Sequence, residues 1–290
     1  MNKIGFIGVG IMGKSMVRNL MKAGFDLHIY ARHPEKVSDV VEEGARFHGS
    51  IASCVEGCEA VITMVGFPQD VEEVYFAPGN ILDSAERGAY LIDMTTTSPS
   101  LAERLYQRGT ERGFHVLDAP VTGGDTGARA GTLSILVGGG QEDYRVCLPV
   151  FQAMGANINY QGKAGCGQHA KLANQIMISG ALSGVCEALT YARAKGLDLP
   201  TLLRSVSTGA AGSKQLDSFG PKIIDNDFAP GFFLKHFVKD MKLASEEASA
   251  SGLKLNILEQ VLDNYQTLEK EGLGDLGTQA LMKFYEEQKS

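Results

Sequence analysis

Three glycines near the start of the chain have the spacing of a turn that binds a pyrophosphate. Gly8, Gly10 and Gly13 follow the apolar stretch IGFI and precede KSMVRNLMKAG, which has the composition of a helix. The first glycine permits a tight turn, the second lets the backbone approach a pyrophosphate, and the third lets the helix pack on the strand. N–H groups at the start of the helix, those of Ile11 and Met12 among them, can bind phosphate oxygens. The pattern therefore favours a dinucleotide site over a glycine turn with a purely structural role.

The end of the second predicted strand bears on which dinucleotide binds. An Asp or Glu there would hydrogen-bond the ribose hydroxyls of NAD, whereas an Arg nearby favours the 2′-phosphate of NADP. This sequence has Ala31 and Arg32 directly after DLHIY. A guanidinium suits a phosphate because its donors form a planar fork. The residues therefore predict NADP, with NAD less favoured, and the alternative for Arg32 is a solvated surface charge.

Two further stretches carry polar groups that packing alone does not explain. Thr122, Gly123 and Gly124 follow an apolar strand, where a hydroxyl and bare backbone N–H groups could hold a carboxylate or a developing oxyanion. Lys171 and Asn174 are three residues apart, and therefore lie on one face of a predicted helix. A lysine so placed can give a proton to a carbonyl oxygen during reduction. The alternative for Lys171 is a helix-end lysine whose head reaches water.

Other titratable residues near these stretches are expected to support rather than to react. The stretch GFFLKHFVKDMKLA places Lys239 and Asp240 in apolar surroundings, and we interpret Asp240 as a group that orients Lys239. His169 precedes Lys171 by two residues, an offset that points it to a different side of a helix.

The elements that must position these residues follow from the hydrophobic pattern. Six β-rich apolar runs alternate with helix-like segments up to about residue 139; they are KIGFIGVG, DLHIYAR, AVITMVG, AYLIDMT, HVLDAP and LSILVGG. Strand followed by helix, repeated, predicts a mostly parallel sheet that is covered on both faces. The predicted fold class is therefore α/β, with a Rossmann doubly wound parallel sheet in a dinucleotide-binding domain over residues 1–162.

After residue 162 the strand pattern stops. KAGCGQHAKLANQIMISGALSGVCEALTYARAKGL is typical of one long helix behind a glycine-rich turn, and the rest of the chain is helical in period. We predict an all-α C-terminal domain over 163–290, serving substrate binding and oligomerisation, that begins with this long interdomain helix. The fifteen residues between Lys171 and Glu187 carry no charge, so we expect this helix to be buried nearly all round, either between the two domains or in a subunit interface.

Composition and charge narrow the range of partners. The net charge is −7, and the Lys and Arg residues are scattered along the chain. We therefore expect it to bind neither a nucleic acid nor an anionic membrane. No stretch of about 18 apolar residues is present, so no membrane span is expected. The five cysteines come without a secretory signal, and no second cysteine or histidine pair complements Cys54 and Cys58. These features favour reduced thiols, no bound metal and a cytoplasmic protein.

Four motifs together resemble those of the β-hydroxyacid dehydrogenase family, the group that contains 3-hydroxyisobutyrate dehydrogenase and tartronate semialdehyde reductase. They are FIGVGIMG, DAPVTGG, GCGQHAKLANQ and KDMKLA, and they occur in the family's order over essentially the whole chain. The resemblance implies an N-terminal Rossmann domain and an all-helical C-terminal domain. It also implies NAD(P)-dependent interconversion of a 3-hydroxy acid with its semialdehyde or keto form.

The resemblance assigns substrate roles to residues already singled out. Lys171 matches the family's catalytic lysine, and Asn174 matches an asparagine of the same motif. Thr122, Gly123 and Gly124 match the Ser-Gly-Gly that grips the substrate carboxylate, with a threonine in place of the usual serine. The extra methyl group of the threonine predicts a tighter pocket at that point.

The resemblance also adds cofactor positions beyond the glycine turn and the end of the second strand. Thr96 matches a residue beside the nicotinamide, and Lys239 matches a lysine near the cofactor. Met64 and Val65 match the turn after the fourth strand, which lines the cofactor in the family.

Two details favour the tartronate semialdehyde subgroup. Gln175 stands where many members have a second asparagine, and both KLANQ and the stretch GAAGS at 209–213 resemble that subgroup. We therefore predict a reductase of a small carboxylate-bearing aldehyde, with tartronate semialdehyde (2-hydroxy-3-oxopropionate) as first candidate, working as a homodimer or homotetramer. The alternatives are specificity for 3-hydroxyisobutyrate or for 4-hydroxybutyrate and succinic semialdehyde. From another class, the alternative is a non-catalytic NADP-binding sensor or scaffold.

Overall fold

The computed structural model describes residues 1–287 of the chain. The chain forms two compact units, of which the first is Met1–Lys171 and the second begins at Leu172. We call them the first unit and the second unit. The domain boundary predicted between residues 162 and 163 stays a prediction.

The first unit is built on one mixed sheet. Its strands are β1 (Lys3–Ile7), β2 (Asp26–Tyr30), β3 (Arg46–Phe47), β4 (Ala60–Thr63), β5 (Tyr90–Asp93), β6 (His115–Asp118), β7 (Val121–Thr122), β8 (Leu133–Gly139) and β9 (Gly155–Gly162). Their order is β3-β2-β1-β4-β5-β6-β8-β7, with β9 beside β8. The strands from β3 to β6 in this order are parallel, β8 is antiparallel to β6 and to β7, and β9 is parallel to β8. All six strands predicted from the apolar runs are confirmed.

Helices connect the strands and cover both faces of the sheet. They are α1 (Ile11–Lys22), α2 (Ser38–Glu42), α3 (Ile51–Val55), α4 (Pro68–Phe76), α5 (Ile81–Ser84), α6 (Pro99–Glu111), α7 (Gly124–Ala130) and α8 (Gln141–Met154), with a 3-10 turn at Pro34–Lys36. Apolar side chains of α1, α7 and α8 share one core with Phe6, and those of α3, α4 and α6 share a second core with Ile7. Because neighbouring strand residues point to opposite faces, both faces are buried. The predicted doubly wound Rossmann fold is confirmed.

Three strands lie outside the predicted set. β3 and β7 have only two residues each, too few for an alternation to be recognised. β9 is longer, and its partly buried Ile158 and Tyr160 alternate with the polar Asn157, Asn159 and Gln161. A strand with one face in water is polar at every second position. That alternation is the signal by which β9 is recognisable, although its apolar content is low.

The second unit is helical. α9 (Cys166–Ala194) is one long helix, as predicted, and the boundary between the two units falls within it, after Lys171. The helices that follow are α10 (Leu199–Val206), α11 (Lys214–Ile224), α12 (Leu234–Ala250), α13 (Asn256–Lys270) and α14 (Leu281–Glu287), with a 3-10 turn at Thr278–Ala280. They pack around a core that includes Phe237, Met241 and Tyr265. The all-α prediction for this part of the chain is confirmed.

One face of α9 is not covered by the described residues of its own chain, so burial nearly all round, which a subunit interface would complete, stays a prediction. Met177 and Tyr191 are 67% and 64% exposed, and the exposed Gly184 lies midway between them along the helix. Leu182, with 0% exposure, belongs to the buried face. The run without charge therefore combines a buried face with an apolar stripe at the surface, which a hydrophobicity pattern does not separate.

The cysteines serve packing. Cys54, Cys58, Cys147 and Cys186 are free and buried. Burial raises the pKa of the Cys54 thiol to about 12 and that of Cys58 to about 11, so both stay protonated at neutral pH. Within residues 1–287, no group of three or more His, Cys, Asp or Glu side chains could hold a metal ion. None of the described helices is both long and apolar enough to cross a membrane.

Candidate active site

The turn between β1 and α1 is tightly packed at two of its three glycines. Gly8 has a φ of 98°, in the region that favours glycine, and a Cβ there would overlap the carbonyl oxygen of Met64. A Cβ at Gly13 would overlap the carbonyl oxygen of Gly8. Glycine at these two positions therefore lets α1 begin close to the ends of β1 and β4.

Gly10 differs from Gly8 and Gly13 because, apart from its two chain neighbours, no heavy atom of residues 1–287 lies within 4 Å of where its Cβ would be. α1 begins after Gly10 with no side-chain cap and no acidic residue in its first turn. No carboxylate of that turn therefore competes for the N–H groups of Ile11 and Met12. Open space beside an uncapped helix start fits the pyrophosphate of a dinucleotide.

The end of β2 carries an ion pair that the sequence did not predict. Arg32 is exposed, and its Nη2 lies 3.0 Å from Oδ1 of Asp70, near the start of α4. The other carboxylate oxygen of Asp70 accepts the backbone N–H of Phe67 at 2.9 Å. Ala31 is partly buried and packs against the core that contains Phe6. The guanidinium thus lies where a ribose phosphate was expected, with a carboxylate beside it.

The ends of β4 and β5 are tied together by hydroxyl groups. The backbone N–H of Val65 donates to Oγ1 of Thr95 at 3.0 Å. Asp93, at the end of β5, accepts from the Thr63 hydroxyl at 2.8 Å and from the Thr95 N–H at 3.1 Å. Burial raises the pKa of Asp93 to about 6, because desolvation outweighs these hydrogen bonds. The turn that holds Met64 and Val65 is therefore anchored to the loop after β5.

Thr96 lies in that loop between two residues held by one side chain. Gln168, in the first turn of α9, accepts the Thr97 N–H at 3.0 Å and donates to the Thr95 carbonyl at 2.8 Å. Thr96 itself is partly buried, whereas Thr95 and Thr97 are buried. The loop on which a nicotinamide contact was predicted is thus joined to the start of α9.

Asp118, at the end of β6, holds the start of α9. Its two carboxylate oxygens accept the N–H groups of Gly165 and Gln168, each at 2.9 Å. Burial raises the pKa of Asp118, although the backbone N–H groups oppose the shift. Farther along the helix, Lys171 is only 7% exposed, whereas His169 is exposed. The two side chains lie on different sides of α9, as their spacing predicted.

Thr122, Gly123 and Gly124 form the passage from β7 to α7. Gly123 and Gly124 have φ values of 132° and 64°, a pair of conformations that side chains other than glycine rarely adopt. Apart from its chain neighbours and the backbone of α7, no heavy atom among the described residues lies within 4 Å of a Cβ at Gly124, whereas a Cβ at Gly123 would lie 3.2 Å from the Leu133 side chain. The second glycine therefore faces open space that protein atoms do not fill.

Two predicted residues of the second unit meet through a buried carboxylate. Asn174 donates to Oε1 of Gln175 at 2.8 Å, and Gln175 donates to Oδ2 of Asp240 at 2.6 Å. Nζ of Lys239 lies 2.9 Å from Oδ1 of Asp240, which is fully buried. Asp240 therefore contacts Lys239, in line with an orienting role, and also supports Asn174 through Gln175.

The first unit gathers most of the predicted groups at one edge of its sheet. Gly8, Arg32, Met64 and Thr96 each follow the carboxyl end of a parallel strand. β7 runs in the same direction as β6, because both are antiparallel to β8, so Thr122 reaches the same edge. In doubly wound sheets this edge is where ligands bind. Asn174 and Lys239 belong to the second unit.

Sequence reasoning missed three residues that support these groups, namely Asp70, Thr95 and Gln168. Asp70 has a local signal, since an acid three residues after the N-cap position marks a helix start, but that signal does not reveal Arg32 as its partner. Gln168 has a weak signal as a long polar side chain in a turn rich in Gly and Ala. Thr95 carries no sequence signal that distinguishes it from Thr96 and Thr97, the two threonines that follow it.

Two family models together match nearly the whole chain. Residues 3–162 match the model described as the NAD binding domain of 6-phosphogluconate dehydrogenase. Residues 165–285 match the model described as the NAD-binding domain of NADP-dependent 3-hydroxyisobutyrate dehydrogenase. The first match covers the glycine turn, and the second covers Lys171, Asn174 and Lys239.

Individual relatives are similar over almost their full length. An uncharacterised oxidoreductase of Bacillus subtilis is 45% identical over 97% of this chain and 98% of its own. The 2-hydroxy-3-oxopropionate reductase of Escherichia coli is 34% identical over 98% of this chain and 97% of its own. A solved structure of Mycobacterium tuberculosis 3-hydroxyisobutyrate dehydrogenase with L-serine superposes with a TM-score of 0.89 at 28% identity, covering 100% of both chains.

Proposed function

The chain belongs to the β-hydroxyacid dehydrogenase family, and we propose that it is an NADP-dependent enzyme that interconverts a small 3-hydroxy acid and its semialdehyde. The observation that carries the proposal is Lys171, which is buried on α9 in the same compact unit as the pyrophosphate turn. Lysine is rarely so little exposed in a folded protein, and titratable residues in such positions are often functional, which supports a chemical role for Lys171.

In this proposal Lys171 handles the proton. The nicotinamide, when bound, supplies a hydride to the carbonyl carbon of the substrate. The Lys171 ammonium donates a hydrogen bond to the carbonyl oxygen, stabilises the charge that develops there and gives its proton to the new alkoxide. In the oxidative direction the neutral amine accepts the hydroxyl proton. Asn174 lies three residues farther along α9 and binds the same substrate.

Thr122, Gly123 and Gly124 are proposed to hold the substrate carboxylate. A hydroxyl and two glycine N–H groups form a small site for an anion, and the open space at Gly124 leaves room for it. Such a site accepts a short acid that carries its aldehyde close to the carboxylate. We propose tartronate semialdehyde as the preferred substrate, supported by Gln175 and by the similarity to the reductase of Escherichia coli.

NADP is the proposed cofactor because a cation, Arg32, follows β2 and no acid stands beside it in the chain. The glycine turn, Met64, Val65 and Thr96 would hold the rest of the dinucleotide along the carboxyl edge of the sheet. Lys239 is proposed as a further cofactor contact from the second unit.

We propose a homodimer or homotetramer that works in the cytoplasm. The exposed apolar side chains of Met177, Tyr191 and Ile257 support self-association, because apolar clusters at a surface commonly mark contact sites. Five cysteines without a disulfide suit a reducing compartment.

The experiment that tests the function is a turnover panel. Purified protein would be given NADPH or NADH with tartronate, succinic and methylmalonate semialdehydes, and NADP or NAD with L-serine and the matching hydroxy acids. We expect oxidation of NADPH with at least one semialdehyde. Protein that binds NADPH tightly and turns over none of these compounds would instead be a nucleotide sensor.

The same panel tests the role of Lys171. Lys171→Ala should lower kcat by at least about 100-fold, the usual worth of a positioned proton donor, while NADPH binding is kept. Lys163→Ala is the matched control, because Lys163 is an exposed lysine just before α9. Near-normal turnover in folded Lys171→Ala protein would show that another group moves the proton.

A further inference from the structure

Gln168 forms hydrogen bonds through both ends of its side-chain amide and through its backbone N–H. It is 0% exposed, and its side-chain amide is satisfied at both ends by the backbone of one loop, at the Thr97 N–H and the Thr95 carbonyl. Its own N–H donates to Asp118. These bonds join positions 71 and 73 residues apart in the chain. One side chain therefore connects the loop after β5 to the start of α9.

The two side-chain bonds bracket a single residue, Thr96. Because buried polar groups that lose their partners are costly, the loop and the first turn of α9 resist moving apart. Lys171 follows Gln168 by three residues, which is one turn of the same helix. The amide of Gln168 thus sets the position of Thr96 relative to the part of α9 that carries Lys171.

We propose that Gln168 is a positioning residue. It aligns the loop around Thr96, the proposed nicotinamide contact, with Lys171, the proposed proton donor. Hydride and proton reach the two ends of one carbonyl bond, so a small displacement between their sources lowers the rate even when both ligands still bind. This inference rests on the proposed function, because it assigns Thr96 to the nicotinamide and Lys171 to the proton.

Three variants separate alignment from stability. Gln168→Leu removes both side-chain bonds. Gln168→Glu keeps the size and shape of the side chain. Its carboxyl group can accept the Thr97 N–H whether it is protonated or ionised, but it can donate to the Thr95 carbonyl only when it is protonated. Leu182→Ala is the matched control, because Leu182 is a fully buried residue of the same helix with no part in the loop. It should lower the thermal midpoint and leave kcat within about threefold.

We expect Gln168→Leu to lower kcat at least about tenfold at every pH, with the KM for the aldehyde within about threefold. The ratio of kcat in Gln168→Glu to wild type should be close to one at the acid end of a series from about pH 5.5 to 8.5, and should fall as the introduced carboxyl ionises. Asp93 and Asp118 are present in all the proteins, so a pH dependence that they cause in wild type divides out of the ratio, and as nearby acids they raise the pKa of the introduced carboxyl. An ionised carboxylate in Gln168→Glu would favour the ammonium form of Lys171, which is the proposed proton donor in reduction. The charge of this carboxylate alone would therefore not lower the reductase rate at high pH.

Hydrogen exchange of the protein without cofactor provides a readout that does not depend on turnover. In Gln168→Leu the Thr97 N–H loses its acceptor, so a peptide that spans this loop should exchange at least about tenfold faster, whereas Gln168→Glu and Leu182→Ala should leave it protected. The inference is overturned by unchanged exchange in Gln168→Leu, by a kcat within threefold of wild type, or by a Gln168→Glu ratio that does not vary with pH. Inactive wild-type protein would contradict the proposed function, while the exchange result still decides whether Gln168 holds the loop.

Discussion

Arg32 is the residue on which the proposed cofactor preference depends. Its side chain is 64% exposed, and its guanidinium contacts Asp70, whose side chain is 14% exposed. An ion pair with one exposed partner contributes at most about 1 kcal/mol, so it does not prevent Arg32 from binding a phosphate. A 2′-phosphate carries more charge than a carboxylate and matches the guanidinium fork. Asp70 is therefore expected to hold Arg32 near the site without blocking it.

Exchange of charge at the end of β2 should change the cofactor preference. The double substitution Ala31→Asp with Arg32→Ala introduces an acceptor for ribose hydroxyls and removes the phosphate partner. We expect the NADPH to NADH ratio of kcat/KM to fall by about tenfold or more, equivalent to ~1.4 kcal/mol. Arg46→Ala, at an exposed arginine on β3, is the control. Wild-type protein that prefers NADH would show that Arg32 is only a surface charge.

At the scale of elements, the turn between β1 and α1 was predictable in detail. The strand, the glycine spacing and the helix all depend on residues within about a dozen positions of one another, and local patterns of that kind are readable from sequence. β9 was not predicted, because its alternation rests on only two large apolar residues, Ile158 and Tyr160, among polar and small ones. The exposed stripe of α9 was not predicted for a different reason, since which face of an apolar helix is covered depends on its neighbours.

Two glycines of the turn, Gly10 and Gly13, should have different effects when substituted. Gly13→Ala places a methyl group on the Gly8 carbonyl, so α1 must shift, and we expect a loss of about 1 to 3 kcal/mol in the free energy of unfolding. Gly10→Ala meets open space with a φ of −84°, so the protein should fold normally. Its methyl group would occupy the approach of the pyrophosphate, and NADPH should bind at least about tenfold more weakly.

Thermal unfolding and titration with NADPH distinguish these two outcomes. Gly10→Ala should show an unchanged midpoint without cofactor and a smaller rise on adding NADPH, because stabilisation by a ligand grows with the logarithm of its concentration divided by Kd. Equal NADPH affinity in Gly10→Ala and wild type would mean that the dinucleotide does not approach the backbone at this glycine.

At the scale of the whole molecule, the apolar stripe of the second unit should govern assembly. Met177 and Tyr191 lie on one face of α9, and Ile257 on α13 lies close to Gly180 of the same helix. Met177→Glu should therefore shift the mass measured by sedimentation velocity toward the monomer, because a charge in a closed apolar contact is costly. Val146→Glu, at an exposed apolar residue of the first unit, should leave the mass unchanged. Wild-type protein that sediments as a monomer would contradict the proposed oligomer.

The sequence by itself determined the glycine turn between β1 and α1, the six main strands, the long helix and the family, because each is encoded in short spacings and periodic patterns. It also identified Lys171, Asn174 and Thr122 as candidates by residue type and motif. Only the tertiary structure decided which distant groups meet them. The bonds from Gln168 to the loop around Thr96 join positions more than seventy residues apart, and the partner of Arg32 lies after a different strand. Those contacts depend on the order of strands in the sheet and on how each chain segment packs at its edge, which no local pattern specifies.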